Sequence, residues 1–117
     1  MNRHDRNTCA QDRSKIRDLN DRLRRTGHGG KLVFTQAVTE LDHATLMRLL
    51  HAVSTFSGFN PNNDPWSEHD FGQVLIDAVP YFWKIDYYDV ELEFGSPNPA
   101  DESITQRVLT ILTALDL

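Results

Sequence analysis

The chain has 117 residues, of which 39% are hydrophobic and 25% charged, a composition that excludes global disorder and fits one small folded domain. Its only cysteine, Cys9, excludes an intrachain disulfide, and the lack of a signal peptide or of an apolar run of about 18 residues predicts a cytoplasmic protein without a membrane partner. The net charge of -5 conceals a segregation, because residues 1–31 carry nine Lys or Arg and four Asp or Glu, which leaves three bases and thirteen acids for residues 32–117.

The N-terminal part predicts a mobile polar leader, residues 1–13, followed by a helix. Ile16, Leu19 and Leu23 recur at i, i+3 and i+7 behind Ser14 as the N-cap. We interpret the arginines on the other faces of this helix as solvated surface, with a basic patch for an acidic partner as the alternative. These arginines are Arg17, Arg22, Arg24 and Arg25.

The next two predicted elements are a strand and a helix. The sequence "KLVFTQAV" from Lys31 is rich in β-branched and aromatic residues, which favour a strand. Asp42 then caps a helix that ends before Gly58. Its apolar residues follow helical spacing, and they are Leu46, Leu49, Leu50, Val53 and Phe56.

The segments "FGQVLID" and "YFWKIDYYD" predict two antiparallel strands, joined by a turn without glycine. Alternation along the second strand places Tyr81, Trp83, Ile85 and Tyr87 on one face, which is expected to pack against helices. The other face holds Phe82, Lys84, Asp86 and Tyr88. Either Lys84 and Asp86 neutralise each other on a half-exposed sheet, or this face forms the floor of a pocket beneath the loop that precedes the strands.

The last predicted element is a helix from about residue 102 to residue 114, capped by Asp101. Ile104, Val108 and Ile111 lie at helical spacing, although the β-branched content makes a strand the alternative. The element order α-β-α-β-β-α predicts a single α+β domain over residues 14–117. We expect a short, mainly antiparallel sheet of about three strands packed by about three helices.

Four segments give the chain a resemblance to a known family. They are "NDPWSEHDFG", "WKIDYYD", "GSPNPADES" and "RVLTIL". On these segments the chain, from about Ile16 to Leu115, resembles a small bacterial family catalogued only as a domain of unknown function. The resemblance implies one compact domain, and it brings no reaction, cofactor or catalytic residue.

The loop "NDPWSEHDFG" gathers three carboxylates and an imidazole within seven positions, at Asp64, Glu68, His69 and Asp70. Like charges this close oppose folding unless something offsets them. Catalysis, metal binding, partner binding and a hydrogen-bonded loop each explain the pattern. The spacing fails the EF-hand pattern, and neither "HExxH" nor "CxxC" is present.

The leading hypothesis is a non-enzymatic module that presents the acidic surface of residues 60–102 to a basic protein partner. Within these residues Lys84 is the only base beside ten acids, so direct nucleic-acid binding is expected only through the Arg-rich N-terminal helix. One version is an inhibitor or regulator of a nucleic-acid-handling defence system, such as an anti-CRISPR or anti-restriction protein of a mobile element. The predicted binding surface is Asp64, Trp66, Glu68, His69, Asp70, Lys84, Asp86, Tyr88 and Asp89.

The alternative is a divalent-metal-dependent hydrolase that acts on phosphate esters. It would use Mg²⁺ or Mn²⁺ on Asp64, Glu68, Asp70 and Asp86, with His69 as acid or base and Lys84 orienting the substrate. The leading hypothesis needs no metal and no cofactor. A third interpretation is a homodimer on the aromatic face of the sheet, with Trp83 and Tyr87 at the interface instead of in the core.

Overall fold

The computed structural model describes residues 10–117, with side chains from residue 12 onwards. These residues form three α-helices and a four-stranded sheet, so the predicted α+β class is confirmed with one strand more than expected. The helices are α1 (Ala10–Thr26), α2 (Gln36–Thr39) and α3 (His43–Ser54). The strands are β1 (Lys31–Phe34), β2 (Phe71–Ile76), β3 (Val79–Tyr88) and β4 (Gln106–Thr113), and short 3-10 helices at Glu102–Ile104 and Ala114–Asp116 flank β4.

Helix α1 begins earlier than the sequence indicates. It starts at Ala10, so Ser14 lies inside the helix and the prediction that Ser14 is its N-cap was wrong. The predicted mobile leader of residues 1–13 stays a prediction for residues 1–9, which include Cys9 and lie outside the described residues, whereas residues 10–13 belong to α1. At the other end Gly27 adopts a φ of 78°, a conformation that glycine adopts without steric cost and that ends helices.

The last element is a strand, so the predicted helix from about 102 to 114 was wrong. Strand β4 pairs parallel with β1 and antiparallel with β3. Its burial alternates with period two, with Arg107, Leu109 and Ile111 buried. The spacing of the apolar residues fits the helical period of about 3.6 as well as the strand period of two. The β-branched residues favour the strand because their side chains pack well on a pleated surface between two neighbouring strands.

The sheet is mixed, in the order β1-β4-β3-β2. A two-residue turn at Asp77 and Ala78 joins β2 to β3, and both residues have positive φ, 52° and 65°. Positive φ at both central positions matches the twist of a hairpin, although glycine or asparagine is the usual choice there. Arg48 on α3 holds this turn through two hydrogen bonds to Asp77, at 2.9 and 3.1 Å.

The core lies between one face of the sheet and the helices. Helix α3 begins at the predicted cap, where the Asp42 carboxylate accepts from the Thr45 N–H at 3.2 Å, and it packs against the sheet through Leu49 and Val53. The predicted inward face of β3 is confirmed, because Tyr81, Trp83, Ile85 and Tyr87 are all buried. A homodimer through Trp83 and Tyr87 is therefore wrong, since these side chains already fill the core.

Gly72 on β2 leaves room for the largest core side chain. A Cβ at this position would lie 2.4 Å from the indole nitrogen of Trp83, far inside van der Waals contact. Trp83 itself is fully buried. The absence of a side chain at Gly72 is therefore part of the packing of the sheet onto the helices.

Candidate functional site

The loop that precedes β2 folds inward onto α1 and the core. Asp64 is only 7% exposed and Glu68 only 1%. One oxygen of the Asp64 carboxylate accepts hydrogen bonds from the backbone N–H groups of Glu68 and His69, at 3.1 and 3.2 Å. The Asp64 carboxylate therefore serves the loop itself, and because Asp64 and Glu68 are both buried, neither presents its charge to a partner.

A buried polar network ties this loop to the sheet. The Tyr87 hydroxyl donates to Glu68 Oε1 at 3.0 Å. Asn20 on α1 donates to the same hydroxyl at 2.8 Å and to the backbone oxygen of Glu68 at 3.0 Å. Burial, together with the negative charges of Asp70 and Glu68, raises the pKa of Tyr87 well above its ordinary value, so the hydroxyl keeps the proton that it donates.

Arg107 on β4 completes the network from the other side. Its Nε donates to Asn20 Oδ1 at 2.8 Å, and its guanidinium also donates to the backbone oxygen of Pro99. The guanidinium lies 5.2 Å from the centre of the Tyr87 ring. Burial lowers the pKa of Arg107, and the surrounding acceptors compensate for the loss of hydration.

His69 lies between two carboxylates. Its Nδ1 is 3.0 Å from Asp21 Oδ1, and its Nε2 is 3.6 Å from Asp64 Oδ2. Because an ionised carboxylate only accepts, the contact with Asp21 assigns the Nδ1 proton to this hydrogen bond. The imidazole stacks on Phe59 with centroids 3.7 Å apart, and 22% of its side chain is exposed.

Arg24 connects Asp21, and through it His69, to the C-terminal end of α3 and the residues that follow it. It donates to the backbone oxygens of Val53 and Phe56, at 2.9 and 3.0 Å, and to Asp21 at 3.0 Å. Its guanidinium lies 5.1 Å from the centre of the Trp83 ring. The interpretation of Arg24 as solvated surface was wrong, and its burial lowers its pKa while the hydrogen bond to Asp21 opposes that shift.

The predicted pocket floor lies on the other side of the sheet from this cluster. Glu68 contacts Tyr87, whose side chain points toward the helices. Lys84 and Asp86 form their ion pair, at 3.1 Å, on the opposite face. The interpretation in which this face lies beneath the acidic loop was therefore wrong, and the alternative of a mutually neutralised pair on a half-exposed sheet describes the geometry.

The remaining predicted residues occupy separate places. The backbone oxygen of Asp70 accepts from the Ile85 N–H at 2.8 Å. Trp66 is 36% exposed, and its ring lies 5.9 Å from the guanidinium of Arg13. Tyr88 is half-buried at the end of β3 and pairs with Gly95 through an isolated bridge. Throughout residues 10–117, no three His, Cys, Asp or Glu side chains are grouped so that they could hold a metal ion.

One exposed part of the predicted acidic surface is the segment from residue 89 to residue 95, which we call the acidic–apolar loop. Its sequence, "DVELEFG", alternates acids with large apolar residues. The apolar side chains are exposed by 56% at Val90, 43% at Leu92 and 68% at Phe94. This loop therefore presents charge and apolar area together, whereas in the loop of residues 64–70 the carboxylates of Asp64 and Glu68 are buried.

Hydrogen bonds hold the acidic–apolar loop in one shape. Asp89 Oδ1 accepts from the N–H groups of Glu91 and Glu93, at 3.2 and 3.0 Å. The Asp89 N–H donates to the Phe94 oxygen at 2.8 Å, and the Leu92 N–H donates to the Asp89 oxygen at 3.0 Å. Leu92 has a φ of 60°, a conformation that costs a leucine energy and persists only where its surroundings fix it.

Sequence reasoning missed three buried polar residues, Asn20, Arg24 and Arg107. For α1 a signal was present, because Asn20 and Arg24 continue the buried row of Ile16 at spacings of four. For Arg107 the signal was the period-two pattern of Arg107, Leu109 and Ile111, which the helical interpretation of this segment concealed. The apolar side chains of residues 90–94 alternate with acids in the sequence, but the alternation does not reveal their exposure, which is decided by where the chain turns.

Comparison with known proteins identifies a family and nothing more specific. A family model described as "Protein of unknown function (DUF3768)" matches residues 34–116. No curated protein and no solved structure matches the chain significantly. None of the described helices combines the length and apolar character needed to cross a membrane.

Proposed function

This chain belongs to the family described as "Protein of unknown function (DUF3768)", and we propose that it is a non-enzymatic module that binds a basic protein partner in the cytoplasm. The observation that carries the proposal is the acidic–apolar loop, where Val90, Leu92 and Phe94 are exposed between acids. Of the predicted binding surface, which ran from Asp64 to Asp89, the proposal keeps Asp89 and centres the contact on residues 89–95. The reasons are apolar exposure, uncompensated charge and preorganisation.

The apolar side chains supply the affinity. Apolar area that is exposed in one place and rimmed by polar groups marks interaction sites, and aromatic side chains such as Phe94 are the usual anchors of protein interfaces. Burying the three side chains together would contribute on the order of a few kcal/mol. The partner therefore needs an apolar groove that accepts the ring of Phe94.

The carboxylates supply the preference for a basic partner. Glu91 and Glu93 are exposed and form no ion pair with the described residues. By contrast, the charge of Glu102 is matched by Arg22, at 2.9 Å. Uncompensated carboxylates beside an apolar anchor accelerate association with a basic surface, and they make the binding sensitive to salt.

Preorganisation limits the cost of binding. The Asp89 carboxylate already holds the backbone on both sides of Leu92, so little conformational entropy remains to be lost when a partner is bound. A partner would therefore meet a shaped surface.

The concrete form of the proposal is an inhibitor or regulator of a nucleic-acid-handling defence protein, such as a restriction or CRISPR component. The carboxylates of Glu91 and Glu93, on a backbone held by Asp89, would occupy positions that phosphates take on the partner. The support for this form is the local negative charge. A competition experiment tests this form of the proposal, because the chain must then displace a duplex DNA that the partner binds.

No observation favours the metal-dependent hydrolase as a second function. Two of its four proposed ligands, Asp64 and Glu68, are buried and engaged in internal hydrogen bonds. The fourth, Asp86, lies on the opposite sheet face in an ion pair with Lys84. A thermal-shift titration with Mg²⁺ and Mn²⁺ checks this alternative. A rise in Tm with metal concentration that is lost in Asp64→Ala would support the hydrolase.

Affinity capture from the native host at low and at moderate salt, followed by purification of the captured protein, tests the proposal. We expect the double variant Glu91→Lys, Glu93→Lys and the variant Phe94→Ser each to weaken the measured Kd by about tenfold or more. Glu40→Lys, a charge reversal at the exposed residue that follows α2, is the control. Equal affinity of all four proteins for every captured partner would overturn the proposal.

A further inference from the structure

A second interaction surface lies at the outer edge of β1, remote in sequence from the acidic–apolar loop. Among the described residues β1 pairs only with β4. The Thr35 N–H donates to the Ile111 oxygen, and in a parallel ladder alternate residues direct their backbone groups to the same neighbour. The N–H and C=O groups of Leu32 and Phe34 therefore point away from β4, toward the outer edge of the sheet.

An apolar cavity opens beside this edge. It has a volume of about 350 Å³, and its lining includes Leu23, Leu32, Leu50 and Leu109. Leu32 is 45% exposed although it lies on the same sheet face as the buried Leu109, because the cavity separates it from α3. Since an apolar cavity of about 150 Å³ holds a benzene-sized group, this one has room for a large apolar side chain.

The base that stays available beside the cavity is Lys31. Residues 22–34, which include five of the lining residues, contain four Lys or Arg and no Asp or Glu. Arg22, Arg24 and Arg25 are already paired within the chain. Lys31 on β1 is exposed and forms no ion pair with the described residues, so its charge is available to a ligand.

We propose that an extended peptide segment of another protein, alternating acidic and apolar residues, adds to β1 as a fifth strand. Its backbone pairs with the N–H and C=O groups of Leu32 and Phe34. Because side chains alternate along a strand, the apolar residues enter the cavity while the acids lie on the opposite face. That face carries Lys31, whose register partner is Val108. The charge complementarity between Lys31 and the acids selects such a segment over a basic one.

Titration of the full chain with capped peptides, followed by amide and methyl NMR, tests this inference. The probe is the peptide EVEVEV, and its charge-reversed counterpart is KVKVKV. We expect EVEVEV to shift the amide signals of Leu32 and Phe34 and the methyl signals of Leu50 and Leu109. KVKVKV should bind at least about tenfold more weakly.

Three variants assign the contacts. Leu32→Pro removes an outward N–H and a wall of the cavity, and proline is tolerated at a sheet edge, so it should weaken EVEVEV binding about tenfold. Val33→Thr is the matched control, because its N–H faces β4 and its side chain lies on the other sheet face. Ser54→Trp, at the rim of the cavity, fills the space without touching the strand, and it decides the question if Leu32→Pro fails to fold.

Four outcomes would overturn the inference. These are unmoved Leu32 and Phe34 signals, equal binding of both peptides, unchanged binding in folded Leu32→Pro, and unchanged binding in Ser54→Trp. The inference would also be overturned if sedimentation showed that the wild-type chain is a dimer and that Leu32→Pro dissociates it, because the edge of β1 would then bind a second copy of the chain instead of a peptide. Variants of the acidic–apolar loop leave this binding unchanged, so the two proposals fail independently.

Discussion

Replacement of Asn20 by leucine removes the one side chain that joins α1, the loop of residues 64–70, β3 and β4. Its amide donates to the Tyr87 hydroxyl at 2.8 Å and to the Glu68 oxygen at 3.0 Å, and its oxygen accepts from Arg107 Nε at 2.8 Å. Leucine has the same number and branching of side-chain heavy atoms, so it removes the three hydrogen bonds while keeping the shape of the side chain, although its methyl groups are bulkier than the amide atoms.

The magnitude follows from the groups left behind. A lost hydrogen bond costs about 1 kcal/mol when it is neutral and about 1.5–3 kcal/mol when one partner is charged. Two neutral bonds and one bond to the buried Arg107 guanidinium therefore amount to about 4 kcal/mol. The added apolar burial offsets about 1 kcal/mol, so we expect the free energy of unfolding to fall by about 3 kcal/mol, a large part of the 5–15 kcal/mol that is typical of domains.

Urea unfolding monitored by tryptophan fluorescence measures this change as a lower midpoint with an unchanged m-value. Asn62→Leu, an exposed asparagine of the same loop, is the control and should change stability by less than about 0.5 kcal/mol. A double-mutant cycle with Tyr87→Phe should give a coupling energy of about 1 kcal/mol, because the two side chains are bonded directly. A loss below about 1 kcal/mol in Asn20→Leu, with the fold intact, would refute the view that this network holds the loop on the sheet.

Three further predictions concern stability. Since burial raises the pKa of Tyr87 above its ordinary value of 10.0, the folded chain keeps a proton that the unfolded chain loses above that pH, so stability falls as the pH rises past 10.0. Urea titrations at increasing alkaline pH should show that the free energy of unfolding declines less steeply in Tyr87→Phe than in the wild type. An equal decline in both proteins would contradict the assignment of this effect to Tyr87. Leu92→Gly relieves a left-handed backbone conformation that costs about 1–2 kcal/mol, and the added entropy of glycine in the unfolded chain offsets about 0.5–1 kcal/mol of this gain. The Tm should therefore rise while partner binding weakens. A lower Tm would show that no strain is stored at Leu92. Gly72→Ala places a methyl group against the Trp83 indole and should cost about 1–3 kcal/mol in urea unfolding, whereas an unchanged midpoint would mean that the indole moves freely.

The sequence by itself determined the elements whose pattern allows one periodicity. Helix α3 followed from the spacing of Leu46 to Phe56 and the Asp42 cap, and the buried face of β3 followed from the alternation of aromatic residues. A single period fits each of these segments, and burial of the apolar side is the dominant favourable term in folding. The family resemblance followed from the segments "NDPWSEHDFG", "WKIDYYD", "GSPNPADES" and "RVLTIL".

Only the tertiary structure decided the segments in which two interpretations compete. The stripe from Val108 to Leu112 fits a helix and a strand alike, and its place between β1 and β3 selected the strand because both neighbours supply backbone hydrogen bonds. The loop acids Asp64 and Glu68 were identified as a cluster, but their direction was not. Tyr87, distant in sequence, draws the Glu68 carboxylate inward, and the Asp64 carboxylate turns inward to the N–H groups of Glu68 and His69. Glu91 and Glu93 form no ion pair with the described residues and remain at the surface. The sequence shows which residues are charged, but the hydrogen-bond partners that the fold brings to a carboxylate decide whether it is buried or exposed.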